Sequence, residues 1–210
     1  MNIEIRHTRA LDFQEIIELS KNIYREKTAW TERELASHLK VFPEGQFVAV
    51  DTRSHAVLGM AASLIVLWEH YEIRENWEDF TNAGMFTNHD PENGRTLYGA
   101  EVMVAPDARR RGIGEMLYDV RKQLAIDLNL KRIRAGARLI NYHLFADKLS
   151  AREYVENVVS GAIKDPTLSF QLGQGFEVIA VVSGYLNGDR ESLGKAAIIE
   201  WKNPNYQAER

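Results

Sequence analysis

Three observations predict an α+β fold for this chain. Apolar runs of period two recur from one end to the other, runs of period 3.6 are fewer, and the two never settle into regular alternation. The resulting order, β-α-α-β-β-β-α-β-α-β-β, is a mixed sheet with few helices, neither a doubly wound sheet nor a barrel. With 45% hydrophobic residues and a net charge of −4 over 210 residues, the chain can bury a core and is not disordered. One domain, residues 1–210, is expected.

Each element has its own signal. Ile3 and Ile5 alternate with Asn2, Glu4 and Arg6, the period of a half-buried strand. Leu11, Ile16, Ile17, Ile23 and Tyr24 then recur at helical spacing. Thr31 and Glu34 form a capping box for a second helix that carries Leu35 and Leu39, and Pro43-Glu44-Gly45 ends it. Gln46 to Val50 and Ala56 to about Trp68 read as two strands joined by the polar turn Asp51 to His55, an antiparallel hairpin. The pattern breaks between Glu69 and Arg95, where Ile73, Trp77 and Phe80 suggest one short amphipathic helix. Leu97 to Val104 returns to strand. Beyond Gly112, residues Ile113, Met116, Leu117, Val120, Leu124 and Leu128 form a helical face, with Asp119, Arg121 and Lys122 opposite. Lys131 to Leu139 is a strand. Ser150 and Glu153 cap a helix whose stripe is Tyr154, Val155, Val158 and Val159. Phe176 to Tyr185 and Ala196 to Trp201 are the last strands.

Composition excludes several kinds of chemistry. There is no cysteine, hence no disulfide, thiolate metal site or cysteine nucleophile. The six histidines are dispersed, so no metal is expected. Neither a Gly-x-Ser-x-Gly elbow nor a Gly-Lys-Ser/Thr phosphate loop occurs. A pI near 5.9 argues against nucleic acid or an anionic membrane as partner. The longest uncharged run, Ala56 to Trp68, falls short of the roughly 20 residues a spanning helix needs. Charges at Glu4, Arg6 and Arg9 leave no signal-peptide stretch, so a cytoplasmic protein is expected.

One segment carries chemistry: Val102-Met103-Val104-Ala105-Pro106-Asp107-Ala108-Arg109-Arg110-Arg111-Gly112-Ile113-Gly114. A strand runs into a basic, glycine-containing turn that opens directly into an amphipathic helix. The first N–H groups of a helix lack intrahelical partners and carry partial positive charge. Gly112 and Gly114 let an anion approach the main chain closely, and the arginines add charge. The alternative is a solvated basic turn.

Arg109-Arg110-Arg111-Gly112-Ile113-Gly114 resembles the Arg/Gln-x-x-Gly-x-Gly/Ala motif of the GNAT (Gcn5-related N-acetyltransferase) family, and Val104-Ala105-Pro106 resembles its strand-end pattern. Gly175-Phe176 is similar to the family's Gly-Phe pair. The resemblance implies a GNAT-like fold, with a mostly antiparallel central sheet flanked by helices and two insertions, about 69–95 and 141–166. It implies acetyl-CoA as acyl donor, bound by Met103, Val104, Arg109, Arg110, Arg111, Gly112, Ile113, Gly114 and Asn141. The acceptor would be a small-molecule or peptide amine. More narrowly, Tyr154-Val155, the stretch from Asp165 to Leu172, and Glu191-Ser192-Leu193-Gly194 resemble the GNAT-like domain fused to nitrilase-type carbon–nitrogen hydrolases. The transferase-like part consumes all 210 residues, so no hydrolase domain is expected within them.

Direct attack on a thioester needs a neutral amine. With a pKa near 10, about one amine in a thousand is neutral at pH 7, so a base helps. Glu101, the carboxylate inside the fourth strand, is the candidate base; otherwise it is solvated or paired with arginine. Tyr98 falls on the opposite face by parity. By position, the Val104 N–H would hold the oxyanion. The family's usual acid is a tyrosine four residues before Gly-Phe, but that position holds Gln171. Tyr142 and Tyr154 are substitute candidates or packing residues, and Asn141 is a donor contact or a turn residue. The insertion from Glu69 to Arg95, with Trp68, Tyr71, Trp77 and Phe80 among Glu69, Glu72, Glu75, Glu78 and Asp79, suits a lid for a cationic or basic-peptide acceptor, or else covers the sheet or forms a homodimer contact. The competing reading is a catalytically impaired CoA-binding or protein-interaction module.

Overall fold

The computed structural model describes residues 2–24 and 29–208. Its strands are β1 (Ile3–His7), β2 (Gln46–Asp51), β3 (Val57–Val66), β4 (Thr96–Val104), β5 (Arg132–Arg138), β6 (Glu177–Ser183) and β7 (Lys195–Lys202). They form one sheet in the order β1-β2-β3-β4-β5-β7-β6. Only β4 and β5 pair in parallel; every other neighbouring pair is antiparallel. The α+β, mostly antiparallel expectation is met.

The helices are α1 (Phe13–Ile23), α2 (Glu32–Val41), α3 (Trp77–Thr81), α4 (Ile113–Asp127), α5 (Ala151–Val159) and α6 (Leu168–Gly173). Thr31 and Ser150 cap α2 and α5 through the boxes expected of them. On one sheet face, Ile16 and Leu19 of α1 and Leu35 of α2 pack with Trp68, Phe80 and Phe86 against Met60, Ala62, Leu64, Tyr98 and Met103. On the other, Tyr118 and Ala125 of α4, with Tyr154 and Val155 of α5 and Leu168 of α6, cover Leu97, Ile133, Ala135 and Ile199.

A β-bulge decides the geometry of the middle of the sheet. Ser63 pairs with Gly99 but Ala62 pairs with Glu101, so Ala100 is an extra residue in β4. It reverses the parity read from the sequence, and Tyr98, Glu101 and Met103 all lie on the α1 face. A bulge also disrupts the ladder locally. Trp77 Nε1 donates to the Ala100 carbonyl at 3.0 Å, and Arg121 donates to the carbonyls of Ala62 (3.1 Å) and Glu101. Gly99 is required here, since a side chain would lie 2.9 Å from Arg121 Nη1.

The sheet opens where the bulge begins. β4 and β5 pair only from Thr96 to Tyr98 against Arg132 to Arg134. Beyond that, β4 stays with β3 out to Val104 and β5 with β7 out to Arg138, so the two strands diverge.

Several sequence expectations are corrected. Arg121 does not face solvent but is 1% exposed, held by the bulge. Leu11 lies in a 3-10 turn before α1 and is 92% exposed. Ile73 stands outside α3, which starts only after its Asn76 cap. Leu128 and Val159 are exposed rather than in their stripes. Sequence reading missed α6, too short to show a helical period. Among the described residues, no helix is long and apolar enough to cross a membrane.

Candidate active site

The basic turn leads directly from β4 into α4. After β4, Pro106–Ala108 form a 3-10 turn, Arg110 takes a left-handed conformation (φ 62°), and Gly112 caps α4 with φ 79°. That φ favours glycine, and a side chain there would point into open space. The space beside Gly112 at the head of α4 is therefore open, flanked by the exposed Arg109, Arg110 and Arg111. Gly114 serves another end: a Cβ there would lie 3.1 Å from Phe170 Cζ, so its bareness lets α6 close on α4. Ile113 buries its side chain and offers only its main chain.

Strand alternation sorts the end of β4. The Ala105 N–H donates to Leu58 of β3, so the main chains of Met103 and Ala105 turn toward β3 and those of Val102 and Val104 toward the opening. The Val104 N–H thus points into the gap between β4 and β5. Met103 is not brought there, since its side chain is in the core and its main chain faces β3. Asn141 follows β5, and its N–H donates to the buried Asp165 at 3.3 Å.

On the α1 face of the opening stands Glu101. Its Oε1 accepts from the Tyr24 hydroxyl (3.0 Å) and from the Val102 N–H (2.9 Å). Burial pushes its carboxyl pKa up, opposed by those bonds and by the charges of Arg138 and Arg121. Arg138 lies 5.7 Å from the Tyr24 ring centroid. It is itself held by Asp189 through two bonds, of 2.7 and 2.8 Å, and by Glu191. Those acids are on the β6–β7 connection, so the loop, the end of β5 and the end of α1 are tied together around Glu101.

On the α4 face stand Tyr118 and Gln171. Gln171 Nε2 donates to the Tyr118 hydroxyl at 2.8 Å, joining α6 to α4. Both residues are buried, at 7% and 3% exposure. Phe170 and Phe176 meet the Tyr118 ring edge-on, and Arg121 lies 5.4 Å from its centroid.

The other tyrosine candidates are committed elsewhere. Tyr142 donates to the Leu149 carbonyl (3.1 Å) and Tyr154 to Asp165 (2.8 Å), so both serve packing. In the first insertion, Trp68, Phe80 and Phe86 are buried and Trp77 braces the bulge, so the segment covers the sheet. Among the described residues, no group of His, Asp or Glu is placed to hold a metal ion. Sequence reasoning missed Tyr24, Arg138, Tyr118 and Arg121. Only Arg121 left a signal there: it falls four residues after Leu117 and three before Leu124, inside the apolar stripe.

The model of the Acetyltransferase (GNAT) family matches residues 11–146. The chain is 43% identical over 202 residues to the probable hydrolase YhcX of Bacillus subtilis (strain 168), spanning 96% of itself but only 39% of that relative. It is 36% identical over 209 residues to the uncharacterized N-acetyltransferase YkwB of the same organism, covering 98% of this chain and 91% of that protein. Among solved structures, the GNAT-like decarboxylase GphF in complex with isobutyryl-CoA superimposes with a TM-score of 0.76, at 21% identity, over 95% of this chain and 99% of that one. At that identity the likeness speaks for the fold.

Proposed function

The chain belongs to the GNAT acetyltransferase family, and on that premise we propose that it transfers an acetyl group from acetyl-CoA to an amine by direct attack. The observation that carries this reading is a single opening in the sheet with different chemistry on its two faces. One side offers the α4 N-terminus, open beside Gly112, and three exposed arginines, and the other a half-buried carboxylate.

The residues take complementary parts. Arg109, Arg110, Arg111 and the main chain of Gly112, Ile113 and Gly114 hold the pyrophosphate. The N–H of Val104 faces the opening and receives the developing oxyanion. Glu101 takes the proton of the attacking amine, and its raised pKa moves it toward the range of an effective base near neutrality. Tyr24 holds that carboxylate in place. A small-molecule or peptide amine would enter from the Tyr24–Arg138 side. The alternative, a CoA-binding or interaction module without turnover, rests on the glutamine at position 171 and on the resemblance to hydrolase-fused domains.

Incubation with acetyl-CoA and a panel of small amines, amino acids and peptides, read as release of free CoA, tests the proposal. Release above the rate with water for at least one acceptor class is expected. CoA binding without release for any class would leave the impaired-module reading standing.

A further inference from the structure

We propose that Tyr118 donates a hydrogen bond to the departing sulfur of the acyl donor, and that Gln171 is the positioning residue that holds it there. This rests on the acetyl-CoA reading above and assigns to a residue of α4 the task left open at position 171.

Three observations meet at this pair. First, Gln171 Nε2 is the donor to the Tyr118 oxygen, so the phenol's own hydrogen is not consumed in that bond. Second, Gln171 Oε1 is buried with no hydrogen-bond partner among the described residues. Such an orphan acceptor is costly, and it marks a place where a donating group of the ligand, such as an amide N–H of the donor's arm, would be welcomed.

Third, the pair is on the right side of the opening. Arg121 sits at Gly99 and Glu101, where β4 leaves β5, and its guanidinium reaches the bulge. α4 runs back from the end of β4, so Tyr118, three residues nearer its N-terminus, lies about 4.5 Å closer to the mouth. Glu101 faces α1 through its bond to Tyr24, whereas Tyr118 packs on the α4 face. A nucleophile approaching from one face and a leaving group departing toward the other is the geometry acyl transfer requires.

The step balances without a further reactant. The C–N bond forms, the C–S bond breaks with its electron pair on sulfur, and the amine proton passes to Glu101 and on to water. Tyr118 stabilises the thiolate but keeps its proton, because burial raises the phenol pKa from an ordinary value already above the roughly 8.5 of a thiol.

The test needs no acceptor. Affinities for CoA and for desulfo-CoA are measured by calorimetry at pH 7 and pH 9, in the wild type, Tyr118→Phe and Gln171→Met, each checked for folding by circular dichroism. The ratio of the two affinities isolates the sulfur from every other contact. In the wild type it should favour CoA about fivefold more at pH 9 than at pH 7, as expected for a thiolate held by one charge-assisted hydrogen bond. Tyr118→Phe should abolish that rise, and Gln171→Met should reduce it. A pH-independent ratio in the wild type, or an undiminished rise in folded Tyr118→Phe, overturns this assignment alone. If Tyr118→Phe does not fold, an undiminished rise in Gln171→Met overturns it. Failure of the wild type to bind either ligand overturns the acetyl-CoA reading and this proposal with it.

Discussion

Arg121 Nη2 donates to the main-chain carbonyl of Glu101, so a helix on one face of the sheet fixes the strand that presents a carboxylate on the other. Arg121 also donates to Ser63 Oγ at 3.0 Å and to the Ala62 carbonyl. The bulge therefore depends on this one buried cation, whose pKa burial lowers.

Arg121→Met should destabilise the fold by about 3 kcal/mol or more, because buried acceptors lose their donor. Trp77→Phe, which removes the bond to Ala100 and part of the ring packed beside Trp30, should cost about 1–3 kcal/mol. Urea unfolding checks both; a wild-type midpoint for Arg121→Met would refute the bracing role.

Gly112→Glu should abolish CoA binding in a folded protein. The side chain would project into the open approach to α4 and set a negative charge against the helix N-terminus. The left-handed φ of 79° adds a strain of about 1–2 kcal/mol, which a thermal melt would register separately. Unchanged affinity by calorimetry would remove the basic turn from the donor site.

Glu101→Gln should lower turnover about 10²-fold at pH 7, the scale of general-base catalysis. The deficit should shrink as pH approaches the amine pKa, where the acceptor arrives neutral. In the wild type, burial places the Glu101 pKa above its ordinary value, so activity should fall on the acid side at a higher pH than an exposed glutamate would give. An equal deficit at every pH would point to a structural role.

Stability should depend on His38. It is 2% exposed, stacked on Phe86 at 3.7 Å, and its Nε2 donates to the Gly84 carbonyl at 2.6 Å. Burial lowers its pKa from 6.5 to about 4. The unfolded chain therefore binds this proton first, and stability is full above about pH 6.5 and lost as pH falls toward 4. Between pH 7 and 5 the loss should be about 2 kcal/mol. Urea unfolding at both pH values measures it, with His38→Gln expected to lack this component. Equal pH dependence in the two proteins would show that His38 is not its source.

The capping boxes at Thr31 and Ser150, the strand periods and the strand–turn–helix around Gly112 were legible in the sequence because each is a local relation among residues a few positions apart. The basic turn at the head of α4 belongs to this class. The bulge at Ala100 does not, since an inserted residue is defined only against a partner strand, and its effect was to put Tyr98 and Glu101 on one face when counting by twos separated them. Burial of Arg121 follows from the same bulge, because charge alone marks a residue for solvent until buried main-chain acceptors appear beside it. Tyr24 with Glu101, and Tyr118 with Gln171, are separated in the chain by 77 and 53 residues. No periodicity links positions so far apart. The chain alone determined most of the strands and longer helices and the basic turn that opens α4; the packing of α1, α4 and α6 on a splayed sheet decided which side chains face each other across the opening.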